Sequence, residues 1–219
     1  MRAIVALVLA LLVLAAGCGG GDDDGGSTTT EAASGSGECE SVDAPAPREP
    51  ETREAPSEPL DTGTSYALVF ETNCGSFTIA LDLEQAPQTS ASLVALTREG
   101  YFDDTIFHRV VPDFVIQGGD PTQSGGGGPG YQTVDAPPAG SKYVKGVVAM
   151  AKTELEPAGT AGSQFFVVTG ADIGLPSDYA IVGEVTEGLD TVERIGALGQ
   201  GDGPPSQPVV VSSATVAES

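Results

Sequence analysis

From Ser65 onward, short apolar runs alternate with glycine, proline and aspartate; before it, large apolar side chains are scarce outside one block near the amino terminus. The runs Tyr66–Thr72 and Ser76–Leu83 flank Asn73-Cys74-Gly75, which reads as a hairpin turn. In the second run Phe77, Ile79, Leu81 and Leu83 alternate with Ser76, Thr78, Ala80 and Asp82, the period of a half-buried strand. Pro87 opens a predicted helix through Glu99, with Leu93 and Leu96 on its buried face and Gly100 at the C-cap position. Further strand-type runs follow at 105–110, 114–118, 146–151, 163–169, 179–185 and 208–213, and a second helix is predicted from Leu189 to about Ile195, ending near Gly196. Seven or eight strands and two helices in about 150 residues predict a mainly β fold, a closed antiparallel barrel capped by helices.

The segment before Ser65 behaves differently. Residues 18–64 are mostly Gly, Ser, Thr, Asp, Glu and Pro, too poor in apolar surface to offset the entropy of ordering them. They read as a tether, flexible through the glycine-rich part and stiffer through Ala44–Pro59. About 45 flexible residues would reach roughly 35–40 Å. Ahead of them, Met1-Arg2 precedes fourteen uninterrupted apolar residues, Ala3–Ala16. That run is too short to cross about 30 Å of hydrocarbon as a helix, but it suits the core of an export signal over residues 1–17. Leu14-Ala-Ala-Gly-Cys18 resembles a bacterial lipobox, which implies Cys18 as a lipidated residue and an anchor on the outer face of a membrane. Ala15 departs from the leucine usual there; an ordinary secretory peptide or a short uncleaved anchor are the alternatives.

Export changes the reading of the remaining cysteines. In an oxidising compartment Cys39 and Cys74 can persist as a disulfide, or they are two separate thiols. No Cys-x-x-Cys pair exists to suggest a redox or zinc site. The formal net charge is −22, and residues 19–64 account for ten of it, twelve acids against Arg48 and Arg53. So acidic a chain is repelled by phosphate backbones, which argues against nucleic acid as a partner.

The chemistry-bearing motifs are few. His108 is the chain's one histidine, which excludes His-Glu-x-x-His and multi-histidine metal sites. There is no Gly-x-Ser-x-Gly elbow. Gly125, Gly127 and Gly130 match Gly-x-Gly-x-x-Gly, but no Gly-Lys-Ser/Thr follows and no helix is predicted after it, so a surface loop is the better reading.

Phe107-His-Arg-Val-Val-Pro-Asp-Phe-Val-Ile-Gln-Gly-Gly-Asp120, then Gly146–Ala151, Ala161–Thr169 and Leu175–Ile195, in that order, resemble the cyclophilin family of peptidyl-prolyl cis–trans isomerases over about residues 65–215. The resemblance implies an eight-stranded antiparallel barrel with two capping helices over a domain at 65–217. It implies rotation of Xaa–Pro bonds with neither cofactor nor metal, Arg109 as the catalytic donor and Gln117 beside it. Phe114, Val115, Phe166 and Leu175 match the proline socket. Gln164 and the Ala151–Lys152 backbone match the wall against preceding residues, and Tyr179 stands where many members have histidine. His108 falls to a structural role, facing away from the cleft if Arg109 faces it. Three departures stand out. Val115 replaces the usual methionine, Lys152 a common asparagine, and Gly174 the tryptophan on which strong cyclosporin binding depends. The implied partners are proline-containing exported polypeptides, bound by a monomer. The alternative is a proline-peptide binding or holdase module with little turnover.

Overall fold

The computed structural model describes residues 37–219, so the apolar run Ala3–Ala16 and Cys18 lie outside the described residues. Strands β1 (Tyr66–Thr72) and β2 (Gly75–Leu81) form the expected hairpin, with Phe70 opposite Phe77. Helix α1 (Pro87–Arg98) follows. Pro87 starts it without losing a bond, because the first N–H groups of a helix have no intrahelical acceptor. Gly100, at φ 68°, ends it: its N–H donates to the Thr97 carbonyl while Tyr101 N–H reaches back to Leu96. Then come β3 (Thr105–Ile106), β4 (Arg109–Val111), β5 (Val115–Gly118), β6 (Thr133–Val134), β7 (Val147–Met150), β8 (Thr160–Ala161), β9 (Phe165–Val168), β10 (Ile181–Glu187), α2 (Leu189–Gly196) and β11 (Val210–Glu218).

Nine strands form one antiparallel sheet in the order β3-β11-β1-β2-β10-β7-β9-β5-β4, and β6 pairs with β8 separately. This corrects the closed eight-stranded barrel expected from the sequence. The predicted strand at 105–110 is interrupted at Phe107-His108, giving two short edge strands, β3 on β11 and β4 on β5. Both sheet edges therefore belong to one stretch of seven residues, 105–111. The sheet curls to bring its ends together there, but β3 and β4 do not pair, so it is a curled open sheet. Strand alternation then sorts the side chains. Phe70, Phe77, Phe102, Phe107 and Phe165 fill the inner face with Val110, Ile116, Val148 and Val167. The other face carries a second apolar cluster of Val115, Tyr143, Ala149, Phe166 and Val168.

Residues 37–64, assigned to the tether by composition, run without helix or strand along the folded domain, in the same compact unit. Cys39 is joined to Cys74 in the β1–β2 turn. Backbone N–H groups of Glu40, Arg48 and Arg53 donate to the carbonyls of Asn73, Pro121 and Pro129. Arg48 also donates to the Tyr101 carbonyl, Arg53 pairs with Glu99 at 3.1 Å, and both guanidiniums lie over the Tyr101 ring, at 5.5 and 5.7 Å. Beneath them Tyr101 is only 1% exposed. From Cys39 to Glu51 the half-buried positions are Cys39, Val42, Pro45, Arg48 and Glu51; beyond them the step shortens to two at Arg53 and returns to three at Pro56. That spacing of three is the period of a polyproline II helix.

Candidate active site

The antiparallel register sets Arg109 of β4 against Gln117 of β5, Gln117 against Phe166 of β9, and Phe166 against Ala149 of β7. Cross-strand partners share a face, so this row stands on the side away from the main core. Gln164, two residues before Phe166, joins it by the same alternation. Side-chain bonds link the row. Arg109 Nη1 donates to Gln117 Oε1 at 3.2 Å, Gln117 Nε2 donates to Gln164 Oε1 at 3.2 Å, and Gln164 Nε2 donates to the Gly127 carbonyl at 2.9 Å. Each amide has one sense in this chain, because arginine only donates and a carbonyl only accepts.

The glycine-rich loop that receives this chain is built on Asp120, which is fully buried. Its Oδ1 accepts from the N–H and hydroxyl of Thr122, and its Oδ2 from the N–H groups of Gly125 and Gly127. Burial would push this carboxyl up, but the bonds from Thr122, Gly127 and Gly125 outweigh it and hold Asp120 below the usual carboxylate range. A Cβ on Gly127 would collide with that carboxylate, so the position takes glycine for close approach. The sequence pattern left this loop as an unspecified surface segment; Asp120 makes it a wall of the site.

Asp202, absent from the residues expected on sequence grounds, holds the other edge of the arginine. Arg109 Nε donates to its Oδ1 at 2.5 Å and Nη2 to its Oδ2 at 3.1 Å. The Asp202 carboxyl is lowered by those hydrogen bonds and by the guanidinium's charge. Gln117 and Asp202 together use three of the five N–H donors of Arg109, leaving one on each terminal nitrogen. The guanidinium also lies 5.9 Å from the centre of the Phe114 ring.

The expected socket residues come together. Val115 and Phe166 belong to the outer cluster, and Phe114, Ala151, Leu175 and Tyr179 pack against it. Tyr179 meets Phe166 edge to face at 5.6 Å, and its carbonyl accepts from Tyr143 Oη at 2.8 Å. Lys152 turns its side chain inward. Its Nζ is 2.7 Å from Asp178 and donates to the carbonyls of Thr153 and Glu156. What Lys152 offers the site is backbone. His108 precedes β4, outside the strand whose alternation was expected to turn it away. Its ring nitrogens are buried without hydrogen-bond partners, and burial pushes its pKa down. Among the described residues no group of three or more His, Cys, Asp or Glu side chains is placed to hold a metal ion.

A braced guanidinium stands at the edge of an apolar platform, with amides along one wall, so the arrangement offers fixed donors and acceptors beside an apolar surface. The family model for cyclophilin-type peptidyl-prolyl cis–trans isomerases matches residues 67–216. The peptidyl-prolyl cis-trans isomerase-like 1 of Gibberella zeae is 37% identical over 157 residues, covering 69% of this chain and 95% of that protein. The mouse protein of the same name is 37% identical over 144 residues, covering 64% and 85%. A crystal structure of a Cryptosporidium parvum cyclophilin type peptidyl-prolyl cis-trans isomerase in the presence of the dipeptide Ala-Pro matches with TM-score 0.63 and 29% identity, covering 69% of this chain and 98% of that one. The chain belongs to the cyclophilin family and is a peptidyl-prolyl cis–trans isomerase.

Proposed function

We propose that the protein accelerates Xaa–Pro rotation in exported polypeptides as they fold, and that it does so by non-covalent stabilisation of the twisted amide. Amide resonance sets a barrier of roughly 18–20 kcal/mol. A donor directed at the prolyl nitrogen favours the twisted state, whose lone pair has left the carbonyl. Arg109 stays charged at any working pH, so it is a permanent donor. The apolar platform of Phe114, Val115, Phe166, Leu175 and Tyr179 grips the proline ring, while Gln117, Gln164 and the Ala151–Lys152 backbone hold the flanking chain. An acceleration of about 10⁵ needs only about 7 kcal/mol of differential binding. The observation that carries this reading is the guanidinium braced from two sides, by Gln117 and Asp202, beside that platform.

The exported setting rests on the signal-like residues 1–17, the lipobox-like Leu14–Cys18, and the Cys39–Cys74 disulfide, which persists where thiols are oxidised. On this reading Cys18 carries lipid and the protein works on the outer face of a membrane. A palmitate label lost in Cys18→Ser would support that assignment, and an unlabelled parent would remove it.

The isomerase site is tested by NMR exchange on a proline peptide with the protein and its Arg109→Ala variant. The variant should lose well over tenfold in kcat/KM with an unchanged melting temperature. A loss below about tenfold, or 1.4 kcal/mol, would remove Arg109 from the proposed role.

A further inference from the structure

Next to the Arg109–Gln117 row lies a groove of about 810 Å³, whose floor includes Gln117, Ser163 and Gln164. That volume is within the range of about 300–1,000 Å³ typical of binding pockets. One wall is Ala151–Lys152–Thr153 with Glu156, and the glycine-rich loop forms another. The outer lip, Pro50, Glu51 and Thr52, comes from the strap. These three residues precede the span 67–216 that matches the family, so this side of the groove belongs to the chain's own amino-terminal segment.

The lip is held in place. Arg48 and Arg53, either side of it, each donate a backbone N–H to the domain and cover Tyr101. Thr52 presses on the loop so closely that a Cβ on Gly130 would come within 2.8 Å of its methyl group. Two acids, Glu51 and Glu156, line the groove. Glu51 gives only its Oε2 to Arg53, at 3.0 Å, while its Oε1 has no partner among the described residues. Bonds from the Thr153 N–H and hydroxyl keep Glu156 ionised. Lys152, the one cation of the lining, is 2% exposed and matched by Asp178. Arg53 is directed to Glu51 and Glu99.

We infer that the strap residues Pro50, Glu51 and Thr52 complete a binding site for the client chain on the amino side of the proline, and that this site selects basic side chains there. The inference rests on the isomerase reading above. It adds to the flanking-chain wall already described an outer lip from the strap, carrying Glu51. Because the lip charges are partly exposed, the discrimination is about threefold to fivefold at low salt.

The test uses the full chain and two hexapeptides that carry Lys or Glu at the second and third positions before proline, with turnover read by NMR exchange. The protein should prefer the Lys peptide about threefold to fivefold in kcat/KM, through KM, and the preference should shrink in 0.5 M salt as charges are screened. Glu51→Gln should bring the ratio near one, and Glu51→Lys should invert it. Equal turnover of both peptides by the parent, or an unchanged ratio in both variants, overturns the inference while leaving the isomerase intact. Failure of the parent to turn over even a minimal Ala-Pro peptide overturns both readings.

Discussion

At the scale of single residues, the proposed mechanism depends on holding one guanidinium still. Asp202 grips the Nε edge of Arg109 from a glycine- and proline-rich loop and leaves the far edge with free donors. Exposed ion pairs are individually weak, so Asp202→Asn should cost only about threefold in kcat/KM, and Asp202→Glu should recover part of it. The pH profile separates this role from simple stability. Because Arg109 lowers the Asp202 carboxyl, the clamp is intact above the ordinary carboxylate range and fails as pH falls through the depressed value. Parent activity should therefore decline more steeply on the acid side than that of Asp202→Asn, and both should change little from pH 6 to 8, since His108, whose burial disfavours its charged form, takes no part in turnover on this reading. A profile that follows a histidine pKa would give His108 a part in turnover. Arg109, Gln117 and the socket residues were picked out in the sequence by the order and spacing of motifs resembling the cyclophilin family, and the structure brings them to one face. Asp202 was not, because it lies 93 positions away in a loop with no periodicity and reaches the site through tertiary folding alone.

The elements differ in how strongly the local sequence encodes them. The β1–β2 hairpin and both helices carry strong local signals: alternation, a first-turn proline, a terminal glycine. The two-residue strands β6 and β8 have no period to detect. The break at Phe107-His108 is invisible because every residue from Thr105 to Val111 suits a strand. The glycine-rich loop looked unstructured since its order comes from one acid, Asp120, at its start. Replacing it with Asn removes the charge and puts a donor opposite backbone donors; the expected cost is about 1–3 kcal/mol of stability, read by chemical denaturation. Turnover should fall as well, because Gln164 loses the fixed Gly127 carbonyl. The sign of the pH effect follows from the lowered pKa. The stabilisation is present above the carboxyl's unfolded value and is lost as pH falls through the folded one. Parent and Asp120→Asn should thus converge in stability toward acid, and a gap that widens below pH 4 would contradict this account.

For the whole molecule, the strap is the largest departure from expectation. Composition assigned residues 18–64 to a tether because a segment without apolar surface cannot form a core. Residues 39–56 do not need a core of their own. They borrow one, using every third position from Cys39 to Glu51 on a polyproline period, a disulfide and two arginines over a tyrosine. In the loop-entropy account, closing the 35-residue separation between Cys39 and Cys74 contributes about 3–4 kcal/mol. Cys39→Ser should lower the denaturation free energy by an amount of that order and raise hydrogen exchange at the Glu40, Arg48 and Arg53 amides. Unchanged exchange at Arg48 and Arg53 would mean that the arginine contacts alone seat the strap.

The burial of Tyr101 under two guanidiniums also makes the strap visible without a label. The protein has no tryptophan and five tyrosines, and this phenol passes from a dry, cation-covered niche to water whenever the strap lifts. Tyrosine emission is therefore an intrinsic gauge of strap occupancy, readable on the intact chain while oxidant, salt or client peptide is varied.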